Sequence, residues 1–344
     1  MTDPQTVFVT GASGFIAKHI VVKLLNAGYE VVGSVRSLSR AAEVRDAVVP
    51  HLTDATGIED RLRFAALDLG SDDGWSEAMS GADILMHTAS PFPLEQPDNE
   101  DEVIRPAVDG ALRALRAART AGIRRVVMTS SSVAVMHTEL PEGKAAFDED
   151  DWTDLAHPAA TPYAKSKTLA EKAAWDFVAQ EAPEIELTVI NPTFVLGAPL
   201  DGNYGTSVKV IERLLRAKDP MLPQFGFPSV DVRDVAEMHL RALTHAGTAG
   251  KRFIAVDRFI WFHEMAEILK AAHPDRKVVT RRAPNFVVRF LALFDKAIRT
   301  ILPVLGHRDE VSNARAREAL GMTFTDIADS VRATGAFLVD NRIV

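Results

Sequence analysis

The chain has 344 residues, 47% hydrophobic and 25% charged, which is ample length for a buried core and an ordinary globular composition. A net charge of −8 argues against nucleic acid as the main partner, because phosphate binding needs a basic face. The lack of cysteine excludes disulfides and thiolate metal sites and points to a reducing, cytoplasmic setting. No apolar run approaches the ~20 residues of a membrane span. Asp3 and Pro4 lead straight into the first strand, so no signal peptide is expected.

Residues 6 to 36 read as strand, helix, strand. Thr6 to Thr10 is short, β-branched and apolar, as a strand buried on both faces should be. Gly11-Ala-Ser-Gly14-Phe-Ile-Ala17 follows, and Ile20, Val21, Leu24 and Leu25 then fall at helical spacing. Glycines at 11 and 14 allow a sharp turn whose N–H groups, with the helix N-terminus, face a diphosphate. A Walker loop is excluded, since Ile16-Ala17 stand where it needs Gly-Lys. The second strand, from Glu30, ends in Val35-Arg36, with Arg40 a turn further on. An acidic residue here would bind the ribose hydroxyls of NAD, whereas a cation suits the 2′-phosphate of NADP. The cofactor expected is therefore NADP(H), the alternative being that Arg36 and Arg40 merely open a solvated helix over 39–49.

Leu62 to Leu67 reads as a third strand with Asp68 at its end. That carboxylate either meets the adenine amino group or caps the next turn. Ala82 to His87 is a fourth strand, a helix spans about 101–121, and Ile123 to Thr129 is a fifth strand running into Ser130-Ser131-Ser132. Strands alternating with helices imply parallel pairing through right-handed crossovers. Pro162 starts a helix bearing Tyr163 and Lys167, which at i and i+4 share one face. Only three tyrosines occur in the chain, so chance seldom yields that pairing.

Leu187 to Asn191 is a sixth strand, followed by Pro192-Thr193. Residues 206–218 read as a helix, 220–228 as a proline-rich loop, 229–243 as a lead into another helix, and 252–256 as a last strand. The remainder is read as mainly helical. The apolar segment Pro284 to Leu305 suits a helix covering a pocket, with a membrane-surface helix as the alternative. No His-x-x-x-His or Gly-x-Ser-x-Gly pattern supports a metal or hydrolase site. The expected fold is α/β: a Rossmann-type, doubly wound parallel sheet over 1–191 and about 229–257, with a smaller, mainly helical substrate-binding domain from 192–228 and 258–344.

These motifs together resemble the extended short-chain dehydrogenases/reductases. Within them the chain is similar to the dihydroflavonol reductase, cinnamoyl-CoA reductase and yeast-type methylglyoxal or ketone reductase group. The resemblance runs through Thr10–Ala17, Val35–Ser37, His87–Phe92, Thr129–Ser131, Tyr163–Lys167, Asn191–Val195 and Asp231–Val235. It implies NADPH-dependent reduction of a hydrophobic or aromatic aldehyde or ketone, with Tyr163 as proton donor, Lys167 as its activator and ribose ligand, and Ser131 as the carbonyl-oxygen partner. The ammonium of Lys167 and a positive nicotinamide would lower the pKa of the phenol. The cofactor would lie along Gly11, Ser13, Gly14, Phe15, Ile16, Arg36, Arg40, Asp68, Leu69, Thr88, Ala89, Ser90, Pro192, Thr193 and Val195. Phe92, Ser131 and Tyr204 would meet the substrate, with Trp152, Phe225 and Phe227 lining the same pocket. Ala107 occupies the region where many short-chain members carry a relay asparagine, so no such relay is expected. A sugar-nucleotide epimerase or dehydratase and a hydroxysteroid dehydrogenase are the alternatives, and the chain is expected to be a monomer or homodimer.

Overall fold

The computed structural model describes residues 4–90, 99–294 and 296–344. β1 (Thr6–Thr10), α1 (Phe15–Asn26) and β2 (Glu30–Val35) form the expected opening unit. α2 (Ala41–Val48), the short α3 (Ile58–Arg61), β3 (Leu62–Ala66), the short α4 (Trp75–Ala78) and β4 (Ile84–His87) follow. α5 (Asp101–Thr120), β5 (Arg125–Thr129), α6 (Pro162–Gln180) and β6 (Glu186–Pro192) continue the alternation. Beyond them lie β7 (Phe194–Leu196), α7 (Thr206–Leu215), β8 (Gly226–Asp231), α8 (Val232–Thr244), β9 (Lys251–Ala255) and β10 (Arg258–Trp261). The chain closes with α9 (Phe262–Ala272), α10 (Asn285–Leu291), α11 (Lys296–Thr300), α12 (Ala314–Leu320) and α13 (Ile327–Asp340).

Seven strands form one parallel sheet in the order β3-β2-β1-β4-β5-β6-β9. Side chains alternate across it: Val7 and Val9 enter the core on one face and Phe8 the core on the other. Both faces are therefore dry, which is why β1 carries no polar alternation. On one side Ile20, Val21 and Leu24 of α1 pack in the same core as Val235 and Ala236 of α8. On the other, α5 and α6 meet through small residues, Ala107, Ala111, Ala114, Ala170 and Ala174. Alanine at these positions lets the two long helices approach each other and the sheet closely.

Strand order reverses between β1 and β4, with Thr10 level with His87. Open α/β sheets hold ligands in the crevice outside the carboxyl ends at such a reversal. A second, three-stranded sheet, β10-β8-β7, was not read from the sequence; β8 runs antiparallel to β10 and parallel to β7. The apolar stretch from Pro284, expected as one covering helix, is instead split between α10 and α11. Phe286, Phe290, Leu291, Leu293 and Phe294 there are solvent-exposed. Among the described residues, no helix is long and apolar enough to cross a membrane.

Candidate active site

The turn after β1 is built for close approach. Gly11 has φ +66°, and a Cβ added there would come within 3.0 Å of the Ala89 Cβ. Its N–H donates to Ser34 Oγ at 3.0 Å, and the Gly14 N–H donates to the Gly11 carbonyl at 2.9 Å. α1 begins with Gly14 in extended backbone, no side-chain cap and no acidic residue in its first turn. A helix start left in this condition presents uncapped N–H groups and positive dipole to an anion. These features fit a dinucleotide diphosphate along Gly11, Ser13, Gly14, Phe15 and Ile16.

Two interactions that sequence reasoning missed fix this turn. Thr10 Oγ1 accepts from the N–H groups of Thr88 and Ala89, both at 3.0 Å, and lies 3.0 Å from His87 Nδ1. With both lone pairs used, its hydroxyl proton must point to Nδ1, which leaves His87 neutral with the proton on Nε2. Burial pushes His87 down to about 3, the charge of Lys167 acting in the same direction. Thr88, Ala89 and Ser90 are thereby placed beside the glycine turn, while Phe92 lies outside the described residues. The second interaction is the buried Lys18, which ion-pairs with Asp201 and donates to the Asn203 carbonyl at 3.2 Å. The Asn203 side chain donates to the Ser13 carbonyl at 2.8 Å. The segment after β7 is thus pinned onto the turn.

At the end of β2, Arg36 is exposed and, among the described residues, makes no ion pair. Arg40 is engaged by Glu43, at 3.1 Å through Nε and 2.8 Å through Nη2. Asp68 accepts from the Gly70 N–H at 2.7 Å, which is the capping alternative, and Leu69 packs against Gly110.

The second cluster stands at the ends of β5 and α6. Thr161 caps α6 by accepting from the Ala164 N–H at 3.2 Å, and Pro162 occupies the first turn. From there Tyr163 and Lys167 share a face, with Lys167 Nζ 5.9 Å from the Tyr163 ring centroid. Ser131, at the N-cap of a single 3₁₀ turn, hydrogen-bonds the Tyr163 side chain. Burial pushes the phenol up to about 12, with the bond from Ser131 pulling downward. In this geometry burial and the Ser131 bond act on the phenol, and the lowering expected from Lys167 together with a positive nicotinamide concerns the cofactor-bound protein. A phenol in that range keeps its proton at neutral pH. Burial lowers Lys167 to about 8, with the charge of Glu171 acting the other way.

The remaining expected contacts are dispersed. Thr193 bonds the Ala255 carbonyl through its N–H at 3.1 Å and its hydroxyl at 2.8 Å, directly after Pro192. The Val195 side chain is in the core. The Tyr204 hydroxyl donates to Glu212 at 3.2 Å and its ring meets Phe337 edge-on. Trp152 is covered by the Arg252 guanidinium at 3.8 Å. Phe225 and Phe227 join Phe194 and Phe262 in one aromatic cluster, with Phe194 and Phe227 stacked at 4.3 Å. A broad surface hollow lined by Pro4, Gly28, Tyr29 and Arg241 adjoins the opposite, amino ends of β1 and β2 and contains none of these groups.

The model of the NAD dependent epimerase/dehydratase family matches residues 7–255. The NADPH-dependent methylglyoxal reductase of Saccharomyces cerevisiae is 32% identical over 292 residues, covering 78% of this chain and 83% of that protein. A cinnamoyl-CoA reductase of Medicago truncatula is 30% identical over 334 residues, covering 96% of this chain and 94% of that protein. The crystal structure of yeast methylglyoxal/isovaleraldehyde reductase complexed with NADPH aligns with a TM-score of 0.79 at 26% identity, covering 99% of this chain and 100% of that one. The chain belongs to the NAD-dependent epimerase/dehydratase family, the extended short-chain dehydrogenases/reductases.

Proposed function

We propose that this protein reduces an aldehyde or ketone to an alcohol with NADPH. The observation that carries the reading is the Ser131, Tyr163 and Lys167 group, joined by the Ser131–Tyr163 hydrogen bond and standing at the same sheet edge as the glycine turn. When bound, NADPH supplies the hydride. Negative charge then grows on the carbonyl oxygen, and donors fixed in advance stabilise it more than mobile water does. The Ser131 and Tyr163 hydroxyls serve as those donors, and Tyr163 gives up its proton as general acid. The Lys167 ammonium favours the phenolate left behind. At 5.9 Å from the ring centroid and an effective dielectric of ~20, that attraction is on the order of 3 kcal/mol.

The exposed Arg36 and the names of the relatives support NADP(H). The aromatic cluster that begins with Phe194, next to Thr193, supports an uncharged hydrophobic or aromatic substrate, since apolar walls exclude water from the reacting atoms. The sugar-nucleotide epimerase reading draws on the family description and on the fold and Tyr163/Lys167 pair that such enzymes share, whereas the exposed Arg36 favours an exchangeable NADP(H). A panel of aromatic ketones, aliphatic aldehydes, flavonoid ketones, CoA thioesters and sugar nucleotides, followed by NADPH consumption, tests the proposal. Turnover of sugar nucleotides without net NADPH oxidation would reverse it.

A further inference from the structure

Beneath the hydroxyl pair lies a buried carboxylate that the reaction as described does not use. Glu171, 0% exposed, follows Lys167 by one helical turn and Tyr163 by two, so all three project from one face of α6. Its Oε2 accepts from Ser130 Oγ at 2.5 Å and Asn191 Nδ2 at 2.8 Å. Its Oε1 accepts from Arg252 Nε at 2.6 Å and Trp175 Nε1 at 3.4 Å. The same Asn191 amide donates to the Ser131 carbonyl at 3.2 Å. Arg252 is held in turn by the carbonyls of Glu149 at 3.0 Å and Asp151 at 2.8 Å. One carboxylate therefore joins the ends of β5 and β6, the middle of α6 and strand β9.

An apolar residue would join these elements without the desolvation that a buried ion pair brings. The placement of the charge suggests what it is for. Among the described residues, the titratable groups facing Lys167 are Tyr163 and Glu171 on its own helix and His87 from β4. Tyr163 and His87 are neutral at pH 7, which leaves Glu171 as the negative charge among them. We propose that Glu171 is a positioning residue of the reductase centre: fixed by Arg252, Ser130 and Asn191, its carboxylate sets the place of Ser131 and holds Lys167 in the charged form that Tyr163 requires. The proposal rests on the reductase reading for the part played by Tyr163, but not for the charge on Lys167.

Two readouts test it in wild type, Glu171→Gln, Glu171→Asp and Arg252→Gln. The first is the pH dependence with which a small amine-acylating reagent labels Lys167 in cofactor-free protein, measured by mass spectrometry. The second is the alkaline limb of kcat for carbonyl reduction. In Glu171→Gln both midpoints should fall by about one pH unit, because a charge that favours the ammonium is gone. Glu171→Asp, which keeps the charge, should leave them near wild type even where the rate is lower. Arg252→Gln removes the cation that offsets the charge of Glu171 and leaves its contacts to Ser130, Asn191 and Trp175, so both midpoints should rise. A uniform loss of rate with unmoved midpoints in Glu171→Gln would overturn the proposal, as would unmoved or lowered midpoints in Arg252→Gln should Glu171→Gln not fold. If wild type reduced no carbonyl, the reductase reading would fail, and the labelling midpoints would still decide the role of Glu171.

Discussion

Replacing Arg36 should erase the preference for NADPH while leaving NADH binding nearly untouched. The two arginines at the end of β2 are not equivalent in the structure. Arg40 already spans the Glu43 carboxylate, at 3.1 and 2.8 Å. The side chains are 37% and 38% exposed, so solvent screens the pair, which is worth ~0.2–1 kcal/mol. Arg36 has no ion pair among the described residues to surrender. A charge-assisted phosphate contact is worth ~1.5–3 kcal/mol, so Arg36→Ala should weaken NADPH by roughly 10- to 150-fold. Arg40→Ala should cost less, because part of its interaction is spent on Glu43. Glu43→Gln should tighten NADPH by about 1.5- to 5-fold as Arg40 is released. Fluorescence titration of each variant with NADPH and NADH at fixed ionic strength measures all three. Equal affinities of wild type for the two cofactors, or parallel losses of both in Arg36→Ala, would refute the reasoning.

Tyr163→Phe keeps the ring in its packing and removes only the proton, so kcat should drop at least ~10²-fold with NADPH affinity little changed; near wild-type turnover would dismiss Tyr163 as the donor. Burial lowers His19, His87 and His239 from 6.5 to about 4, 3 and 4. Below pH ~6.5 the unfolded chain then binds protons that the folded one refuses, so stability should fall as pH drops, by up to ~1.4 kcal/mol per pH unit for each histidine. Denaturant unfolding at successive pH values measures this, and a flat profile from neutral pH to pH ~4.5 would contradict it. Gly11→Ala places a Cβ against Ala89 at positive φ, so it should lower both melting temperature and NADPH affinity. Wild-type affinity in that variant would show that the turn does not need its close approach.

The large sheet was legible because each strand buried on both faces is a run of apolar residues bounded by a turn. The second sheet was not. β8 contains Pro228 and follows a proline-rich stretch, while β7 has three residues, so neither carries a strand period of its own. They form strands because they pair with each other and with β10. The same division holds in the site. Tyr163 and Lys167 are visible from spacing along one helix, whereas Ser131 stands out from Ser130 and Ser132 only through the family resemblance of Thr129–Ser131. Lys18 with Asp201, Thr10 with His87 and Glu171 with Arg252 are separated by 183, 77 and 81 residues, and only strand order brings each pair together. Glu171 did leave a trace, one turn past Lys167, but nothing in the sequence distinguishes a buried carboxylate there from a solvated one.

Hydride transfer itself is most directly tested with NADPH carrying deuterium at its transferable position. Wild-type protein and an aromatic ketone should give an alcohol with one deuterium on the carbinol carbon for each NADPH consumed, and Tyr163→Phe should give almost none. NADPH oxidised without label in the product, or a product epimerised with no NADPH consumed, would contradict the assignment of this chain as a carbonyl reductase.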